Sequence, residues 1–340
     1  QYRVWPTLAE YTFTPTERTP TVNETVGDAS GQDFTAVLRL YSISGTVSLE
    51  SAGFGGVTMS LESVGDAEGV RIRQTQTITT GTDGFYEFTG LVAGRYRVIP
   101  ALAEYTFDPI ERTPEVNETL GDATDQDFVA TRKTYSISGT VSLQASGLGG
   151  VEMSLEPVSG VLAAQTETVT TASDGSYSFT GLVSGQYRVW PTLAEYTFTP
   201  TERTPTVNET VGDASGQDFA AVLRLYSISG TVSLDGAGFG GVTMSLETVG
   251  GAEGARIRQT QTITTGTDGF YEFTGLVAGQ YRVWPTMTEY TFSPTERTPT
   301  VKQELGNATG QDFTATLNTY SISGTVTCNS VGVGGISVLL

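Results

Sequence analysis

The sequence predicts an all-β protein built as a tandem array of β-sandwich domains. The hexapeptide Tyr-Ser-Ile-Ser-Gly-Thr begins at Tyr41, Tyr135, Tyr226 and Tyr320, and such recurrence at a long, nearly fixed period is typical of repeated units. Each copy opens a stretch in which apolar and polar residues alternate with the two-residue period of a strand. Helical spacing is absent from these stretches.

The repeat starts lie 94, 91 and 94 residues apart, which divides the 340-residue chain. A unit of this size is long enough to bury a core of its own. Because both ends fall within a unit, we expect either an excerpt of a longer array, which is the simpler explanation, or ends completed by other chains. The predicted units are the C-terminal part of a repeat at 1–40, complete repeats at 41–134, 135–225 and 226–319, and the N-terminal part of a repeat at 320–340.

The strands of the first complete repeat follow one another in order. The first strand is predicted from Ile43, Val47 and Leu49, which alternate with serine and threonine as in a strand with one buried and one solvent-exposed face. The same alternation returns over 57–61 after a glycine corner. A polar loop then leads to a threonine-rich strand near 75–79, and the second repeat is three residues shorter in this loop.

The second half of the repeat begins with a hairpin signal, Asp83-Gly84. Only a handful of residues separate the last strand of one unit from the first strand of the next, which predicts a stiff rod. The total comes to about seven strands per repeat. The later strands are marked by Tyr86 and Phe88, Tyr96 and Val98, Tyr105 and Phe107, Val116, and Phe128.

The composition excludes several classes of function. The formal net charge is -19, and the lysines are Lys133 and Lys302 alone, so the basic stripe that a nucleic acid needs is missing. No apolar run approaches the length of a membrane span. Cys328 is the single cysteine, so no disulfide framework exists.

Catalysis is disfavoured by the residue types present. The chain contains no histidine, so a histidine-activated nucleophile or an ordinary zinc site cannot be built. Carboxylates such as Glu87 and Asp127 could serve glycoside hydrolysis only if a cleft held a pair of them, and no pattern indicates a cleft. We therefore predict no enzyme, no cofactor and no bound metal.

A tryptophan follows Tyr-Arg-Val in three of the four copies of one strand. Since tyrosine and valine should face the core, alternation places the tryptophan on the outer face beside the arginine, where both residue types favour protein contacts. Local packing of the indole on arginine or proline is an equal alternative, and carbohydrate stacking is a third. The fourth copy has Ile99. The candidate interface residues are Trp5, Trp190, Trp284, Arg3, Arg188 and Arg282.

Asn-x-Thr triplets recur near the end of each unit and mark candidate N-glycosylation sites on a secreted chain. A threonine-rich chain also forms such triplets by chance, and copied repeats are not independent events. The candidate asparagines are Asn23, Asn117, Asn208 and Asn307.

The motifs at 42–47, 56–57, 83–91 and 94–98 resemble the carboxypeptidase regulatory-like domain, close to the B-type repeats of bacterial surface adhesins. The resemblance covers every complete unit and both partial ones. It implies a seven-stranded Ig-like or transthyretin-like β-sandwich and an extracellular setting on the cell surface. It implies little about function, because such domains serve as stalk, spacer or binding module.

The chain lacks the residues for two features of these relatives, a calcium-binding loop and an isopeptide crosslink. An Asp-x-Asp/Asn-x-Asp-Gly calcium loop is reduced to one aspartate before glycine, at Asp83, Asp174 and Asp268, and we interpret these as turns. A Lys-Asn isopeptide crosslink would need a lysine in the first strand. The corresponding positions hold Ile43, Ile137, Ile228 and Ile322.

Two functional hypotheses follow. The leading one is an extracellular structural protein, a stiff stalk or a filament subunit that associates with itself. The alternative is a repeated carbohydrate-binding or adhesive module that acts by avidity on a surface glycan or protein receptor.

Overall fold

The computed structural model describes residues 1–64, 75–159, 166–249 and 260–339. These residues form strands, turns and loops. No helix in these ranges has the length and apolarity needed to span a membrane. The polar loop that is shorter in the second repeat lies outside the described residues.

Each complete repeat contains nine strands at corresponding positions of its described part, labelled β1 to β9. In the first they are Tyr41–Leu49, Ala52–Gly53, Thr58–Ser63, Thr75–Thr79, Phe85–Leu91, Gly94–Ala101, Tyr105–Asp108, Glu115–Val116 and Phe128–Arg132. In the second they are Tyr135–Leu143, Ser146–Gly147, Glu152–Ser159, Glu167–Thr170, Ser176–Leu182, Gly185–Thr192, Tyr196–Thr199, Thr206–Val207 and Phe219–Leu223. In the third they are Tyr226–Leu234, Ala237–Gly238, Thr243–Thr248, Thr260–Thr264, Phe270–Leu276, Gly279–Thr286, Tyr290–Ser293, Thr300–Val301 and Phe313–Leu317.

The predicted all-β sandwich is confirmed. Seven strands per repeat have four or more residues, in line with the predicted number, and β2 and β8 have two residues each. The position of β8 agrees with the strand that Val116 predicted. β2 follows a tight turn, where too few alternating residues exist for a sequence pattern to reveal a strand.

Two sheets build each repeat. One has the order β2-β1-β9-β7, with β5 also paired to β1, and the other has the order β8-β6-β3-β4. Neighbouring strands are antiparallel except β1 and β9, which run parallel with Val47 opposite Phe128. Thus the first and last strands of a repeat lie side by side.

A separate core lies between the two sheets of each repeat. In the first repeat Ile43 from β1, Met59 from β3, Phe88 from β5 and Val98 from β6 are fully buried. The second and third repeats bury the corresponding residues in clusters of their own. Each repeat therefore has an independent apolar source of stability.

One backbone crossing explains a glycine in β1. A Cβ at Gly45 would lie 2.4 Å from the carbonyl oxygen of Gln126, in the segment leading to β9. The same carbonyl accepts a hydrogen bond from the hydroxyl of buried Tyr86 at 2.5 Å. Glycine lets the two backbones approach closely enough for the tyrosine to reach its acceptor.

The partial repeats at the two ends also form hairpins. Tyr11–Thr14 pairs with Thr35–Leu38, which correspond to β7 and β9. Thr327–Cys328 pairs with Val331–Gly332, which correspond to the end of β1 and to β2.

Candidate inter-repeat joint and outer surface

Successive repeats are connected by two-residue linkers between β9 and the next β1. The first linker residue donates its backbone N–H to the carbonyl of a glutamate in the β6–β7 turn of the preceding repeat. These bonds are Arg39 to Glu10, Lys133 to Glu104, Arg224 to Glu195 and, before the C-terminal partial repeat, Asn318 to Glu289, each 2.8 Å long. We name the contacts around the first three of these glutamates joints 1, 2 and 3.

The joint glutamate adopts a left-handed backbone conformation, with φ of 65°, 66° and 66° at Glu10, Glu104 and Glu195. This conformation is uncommon for a residue other than glycine. It belongs to the turn that directs the side chain toward the next repeat. There the carboxylate accepts a hydrogen bond from the tyrosine that opens β1, at 2.6 Å in all three joints: Tyr41 to Glu10, Tyr135 to Glu104 and Tyr226 to Glu195.

Joint 2 adds a reciprocal pair of bonds between two glutamates. The backbone N–H of Glu104 donates to the Glu209 carboxylate, and the backbone N–H of Glu209 donates to the Glu104 carboxylate, both at 2.9 Å. Glu209 lies in the loop after β8 of the following repeat and also pairs with Lys133 of the linker. Every carboxylate oxygen of the pair has a partner.

Joints 1 and 3 are variants of this arrangement. In joint 1, Glu118 donates its backbone N–H to Glu10 and pairs with Arg39 at 2.9 Å. In joint 3, Gln303 takes the place of the second glutamate, and the reciprocal bonds with Glu195 remain at 3.1 and 3.0 Å. Since an amide has both a donor and an acceptor, the geometry survives without the second charge.

The joint contacts shift the pKa values of their groups. The Glu209 N–H, followed by the Tyr135 hydroxyl, lowers the pKa of the Glu104 carboxyl. The Lys133 ammonium, followed by the Glu104 N–H, lowers the pKa of Glu209. Burial, followed by the hydrogen bond to Glu104, raises the pKa of Tyr135 to about 12. At neutral pH the joint therefore consists of charged acceptors and a neutral phenol donor.

The asparagines of three predicted glycosylation sites shape the same loop in successive copies, and after β8 of the first and second complete repeats this loop carries Glu118 of joint 1 and Glu209 of joint 2. The side-chain oxygen of each accepts the backbone N–H groups two and three residues ahead at 2.9 Å, which is a local turn motif. Lys302 replaces this asparagine in the third repeat, where backbone bonds to its carbonyl hold the turn. The capped pairs are Asn23 with Thr25 and Val26, Asn117 with Thr119 and Leu120, and Asn208 with Thr210 and Val211.

Asn307, the fourth candidate, has a different role in the fold. It accepts the backbone N–H of Ser227 at 3.0 Å, as Asp122 and Asp213 do for Ser42 and Ser136. All four asparagines thus have a structural use, and glycosylation at them stays a prediction.

The structure places Trp190 and Trp284 on the outer face of the β8-β6-β3-β4 sheet of their repeats and Trp5 in the N-terminal partial repeat, and each is stacked on its arginine. The guanidinium carbon lies 4.7 Å from the ring centroid for Arg188 with Trp190 and for Arg282 with Trp284, and 5.1 Å for Arg3 with Trp5. In the complete repeats the indole is half-buried, whereas Trp5 is 55% exposed. The local packing alternative is therefore present in the fold.

Glutamates on both sides fix the arginine of this stack. Arg188 pairs with Glu156 of β3 at 3.0 Å and with Glu202 of the loop before β8 at 2.6 Å. Arg282 repeats this with Glu247 and Glu296 at 3.2 and 2.5 Å. We name each arginine, its glutamates and its tryptophan an Arg–Trp cluster. In the first repeat Arg97, Glu62 and Glu111 form the same cluster with Ile99 in place of tryptophan.

The remaining candidate residues are used by the fold. Asp83 accepts the backbone N–H of Phe85 at 3.1 Å, the geometry of a capped turn. Asp127 accepts both the N–H and the hydroxyl of Thr46, which ties β1 to the start of β9. Among the described residues no cluster of three acidic, histidine or cysteine side chains could hold a metal ion. Cys328 is exposed.

The joint glutamates were not among the predicted site residues. The only sequence signal for them is the motif Glu-Tyr-Thr-Phe, which places a charged residue directly before the same strand at Glu10, Glu104, Glu195 and Glu289. The partners lie in the next repeat, the tyrosine 31 residues ahead and the residue in the loop after β8 105 or 108 residues ahead, and no local pattern reveals them.

The sequence profile of the BOS complex subunit NOMO1-like second β-sandwich domain matches residues 40–130, 133–220 and 225–314. The three matches cover more than half of the chain. The chain belongs to this family. The predicted class of tandem β-sandwich repeats is thereby confirmed, while the domain boundaries at 41, 135, 226 and 320 stay predictions.

Curated relatives of these NOMO1-like repeats are much longer than the chain. The serine-aspartate repeat-containing protein D of Staphylococcus aureus is 27% identical over 292 residues, which is 71% of this chain and 21% of that protein. Chitinase ChiA of Flavobacterium johnsoniae is 31% identical over 210 residues, which is 60% of this chain and 12% of that enzyme.

The Bacillus anthracis TIE protein is a structural neighbour with a TM-score of 0.54 and 16% sequence identity. The similarity covers 85% of this chain and 54% of that one. It shows a shared fold.

Proposed function

We propose that these repeats form a load-bearing section of an extracellular structural protein, a stiff stalk or the shaft of a self-associating filament on the cell surface. The observation that carries the proposal is the joint itself. The two-residue linker donates a backbone hydrogen bond to the joint glutamate of the preceding repeat, and the carboxylate of that glutamate accepts a hydrogen bond from the tyrosine of the next repeat. Several bonds across each junction restrict hinge motion that a linker alone would permit.

The recurrence of the same domain type along the chain supports the same function. A catalytic or receptor site usually needs one particular constellation of residues, whereas a spacer needs only length. The chain has no histidine, and candidate carboxylates such as Asp83 and Asp127 serve a turn and a strand tie, so we propose no catalytic role for this section. The match to part of a chitinase is compatible with such a section inside a larger enzyme.

The experiment that tests the proposal removes the joint carboxylates. We expect Glu104→Ala combined with Glu195→Ala to shorten the average end-to-end distance and to increase its spread, measured by small-angle X-ray scattering and electron microscopy. A matched control removes two exposed carboxylates from β5, Glu87→Ala with Glu272→Ala, and should leave the dimensions unchanged. A parent protein that already bends freely at its junctions would refute the proposal.

A second candidate function is adhesion through the Arg–Trp clusters, and their recurrence on the outer face favours it. An indole held by a fixed guanidinium offers a preorganised apolar surface. The chain charge of -19 favours a neutral polysaccharide over an anionic one.

Adhesion predicts that Trp190→Ala with Trp284→Ala removes retention by the complete repeats on neutral glycans in an array, and that adding Trp5→Ala abolishes what remains. Because Arg97 and its glutamates already lie around Ile99, Ile99→Trp should create an Arg–Trp cluster in the first complete repeat and strengthen retention. If neither the tryptophan-to-alanine substitutions nor Ile99→Trp alters retention, the Arg–Trp clusters are excluded as a glycan-binding site.

A further inference from the structure

Joint 2 depends on two carboxylates that must both be ionised. The Glu104 oxygens accept the Tyr135 hydroxyl at 2.6 Å and the Glu209 N–H at 2.9 Å. The Glu209 oxygens accept the Glu104 N–H at 2.9 Å and the Lys133 ammonium. A protonated carboxyl gains a donor and loses acceptor capacity, so it cannot keep both of its bonds to donors.

We infer that Glu104, Glu209, Lys133 and Tyr135 form an acid latch, a set of contacts that holds joint 2 at neutral pH and releases it on acidification. The inference rests on the proposed stiff array. It adds that acidification breaks the contacts of joint 2. Released, the two flanking repeats would remain folded, because the buried side chains of both cores lie outside the latch, and Tyr135 is only partly buried against the second core.

The charged and titratable groups around the latch, taken together, agree with this direction. The two carboxyls are neighbours of each other, and the charge of Glu209 acts to raise the pKa of Glu104, but the hydrogen bonds from the Glu209 N–H and the Tyr135 hydroxyl outweigh it. The other neighbours of the two carboxyls are the linker ammonium of Lys133 and the β1 phenol of Tyr135, and Asp213 in the loop before β9 acts on Tyr135 together with Glu209. The pKa values of Glu104 and Glu209 both lie below the ordinary glutamate value. A lowered pKa in the folded state means that the stabilisation is present in full above the unfolded pKa and is lost as the pH falls through the folded one.

Joint 3 supplies an internal comparison. Gln303 replaces the second glutamate there, so its bond from the Glu195 N–H at 3.1 Å does not depend on an ionised group. In joint 3, protonation can break only the hydrogen bonds that the Glu195 carboxylate accepts, from the Gln303 N–H and the Tyr226 hydroxyl. Acid should therefore loosen joint 3 less than joint 2.

The experiment measures both joints in the full chain. Spin labels at the equivalent exposed β5 positions 87, 178 and 272 are introduced in pairs as Glu87→Cys with Ser178→Cys, and Ser178→Cys with Glu272→Cys, in a Cys328→Ser background. Pulsed electron paramagnetic resonance gives the distance distribution across joint 2 from the first pair and across joint 3 from the second. Circular dichroism at each pH verifies that the repeats stay folded.

We expect narrow distributions across both joints at pH 7 and, near pH 3, a broadening at joint 2 that exceeds the broadening at joint 3. Glu209→Gln, which copies Gln303, should reduce the acid broadening at joint 2 to the level of joint 3. Gln303→Glu should make joint 3 respond like joint 2.

The contradicting outcomes differ in what they overturn. Distributions that are already broad at pH 7 overturn the stiff array and the latch together. A narrow joint 2 that stays narrow in acid, or one that broadens equally with Glu209→Gln, overturns the latch alone.

Discussion

At the scale of single residues, the backbone geometry explains more than the chemical class of a residue does. The joint glutamates are held at φ near +66°, and this turn directs a charged side chain toward the neighbouring repeat rather than toward solvent. The predicted turn aspartates, in contrast, do what a local pattern implies: Asp83, Asp174 and Asp268 cap the residue two positions ahead. Local geometry could be predicted from the sequence, and long-range partners could not.

Gly45 gives a prediction at this scale. We expect Gly45→Ala to destabilise the first complete repeat by roughly 2 kcal/mol or more, because its Cβ would lie 2.4 Å from the Gln126 carbonyl oxygen in a well-packed region. The clash would also disturb the bond from Tyr86 to that oxygen. Chemical denaturation should show one repeat unfolding at lower denaturant concentration than the other two.

The control for this change is Gly94→Ala in β6. A Cβ there would meet nothing closer than a Tyr96 ring carbon at 3.8 Å, and Gly94 has no left-handed conformation. We expect its unfolding curve to overlay that of the parent. Equal destabilisation by the two substitutions would contradict the close-approach explanation.

At the scale of elements, the alternation of apolar residues specified the strands well. Ile43 and Val47 of β1 and Tyr96 and Val98 of β6 are buried as their period indicates. Trp190 lies on the outer face of the sheet for the same reason. Its stacking on Arg188 was one of three alternatives, because the two-residue period predicts which face of the sheet a side chain occupies but not which residue it contacts. The two-residue strand β2 could not be foreseen either, since two residues define no period, whereas Val116 did mark β8.

The junction between two elements, the β6–β7 turn and the next β1, predicts a response to alkali. Burial first, and then the carboxylate of Glu104, raises the pKa of Tyr135 to about 12. Because the folded pKa exceeds the value of about 10 for an unfolded tyrosine, the stabilisation is full below pH 10 and is lost as the pH rises toward 12. We expect the distance distribution across joint 2 to broaden over that interval.

Tyr135→Phe removes the titrating group, so joint 2 should be looser at neutral pH and should lose its alkaline response. The substitution also removes the hydrogen bond that the Tyr135 hydroxyl donates to the Glu104 carboxylate. Joint 3 in the same molecule keeps Tyr226 and should respond as in the parent. An unchanged alkaline broadening of joint 2 in this variant would show that another group causes it.

At the scale of the whole molecule, the topology determines how force would pass along the array. Tension enters a repeat at the start of β1 and leaves at the end of β9, and these two strands are parallel neighbours, with Val47, Ser48 and Leu49 paired to Phe128, Val129 and Ala130. Pulling on opposite ends of a parallel pair loads its hydrogen bonds together rather than one after another. The arrangement suits a section that carries load.

Single-molecule stretching should therefore give three high-force unfolding events, each releasing about 300 Å of chain for a repeat of this length. Asp127 strengthens the loaded pair, because its carboxylate binds the N–H and hydroxyl of Thr46 in β1 at 2.7 and 2.9 Å. We expect Asp127→Ala to lower the force of one event and leave two unchanged, since Asp218 and Asp312 hold the corresponding bonds in the other repeats. The control Glu87→Ala changes β5 of the same repeat, outside the β1–β9 pair, and should leave all three unfolding forces unchanged. If all three forces stay equal in the Asp127→Ala protein, the load is not carried by the β1–β9 pair.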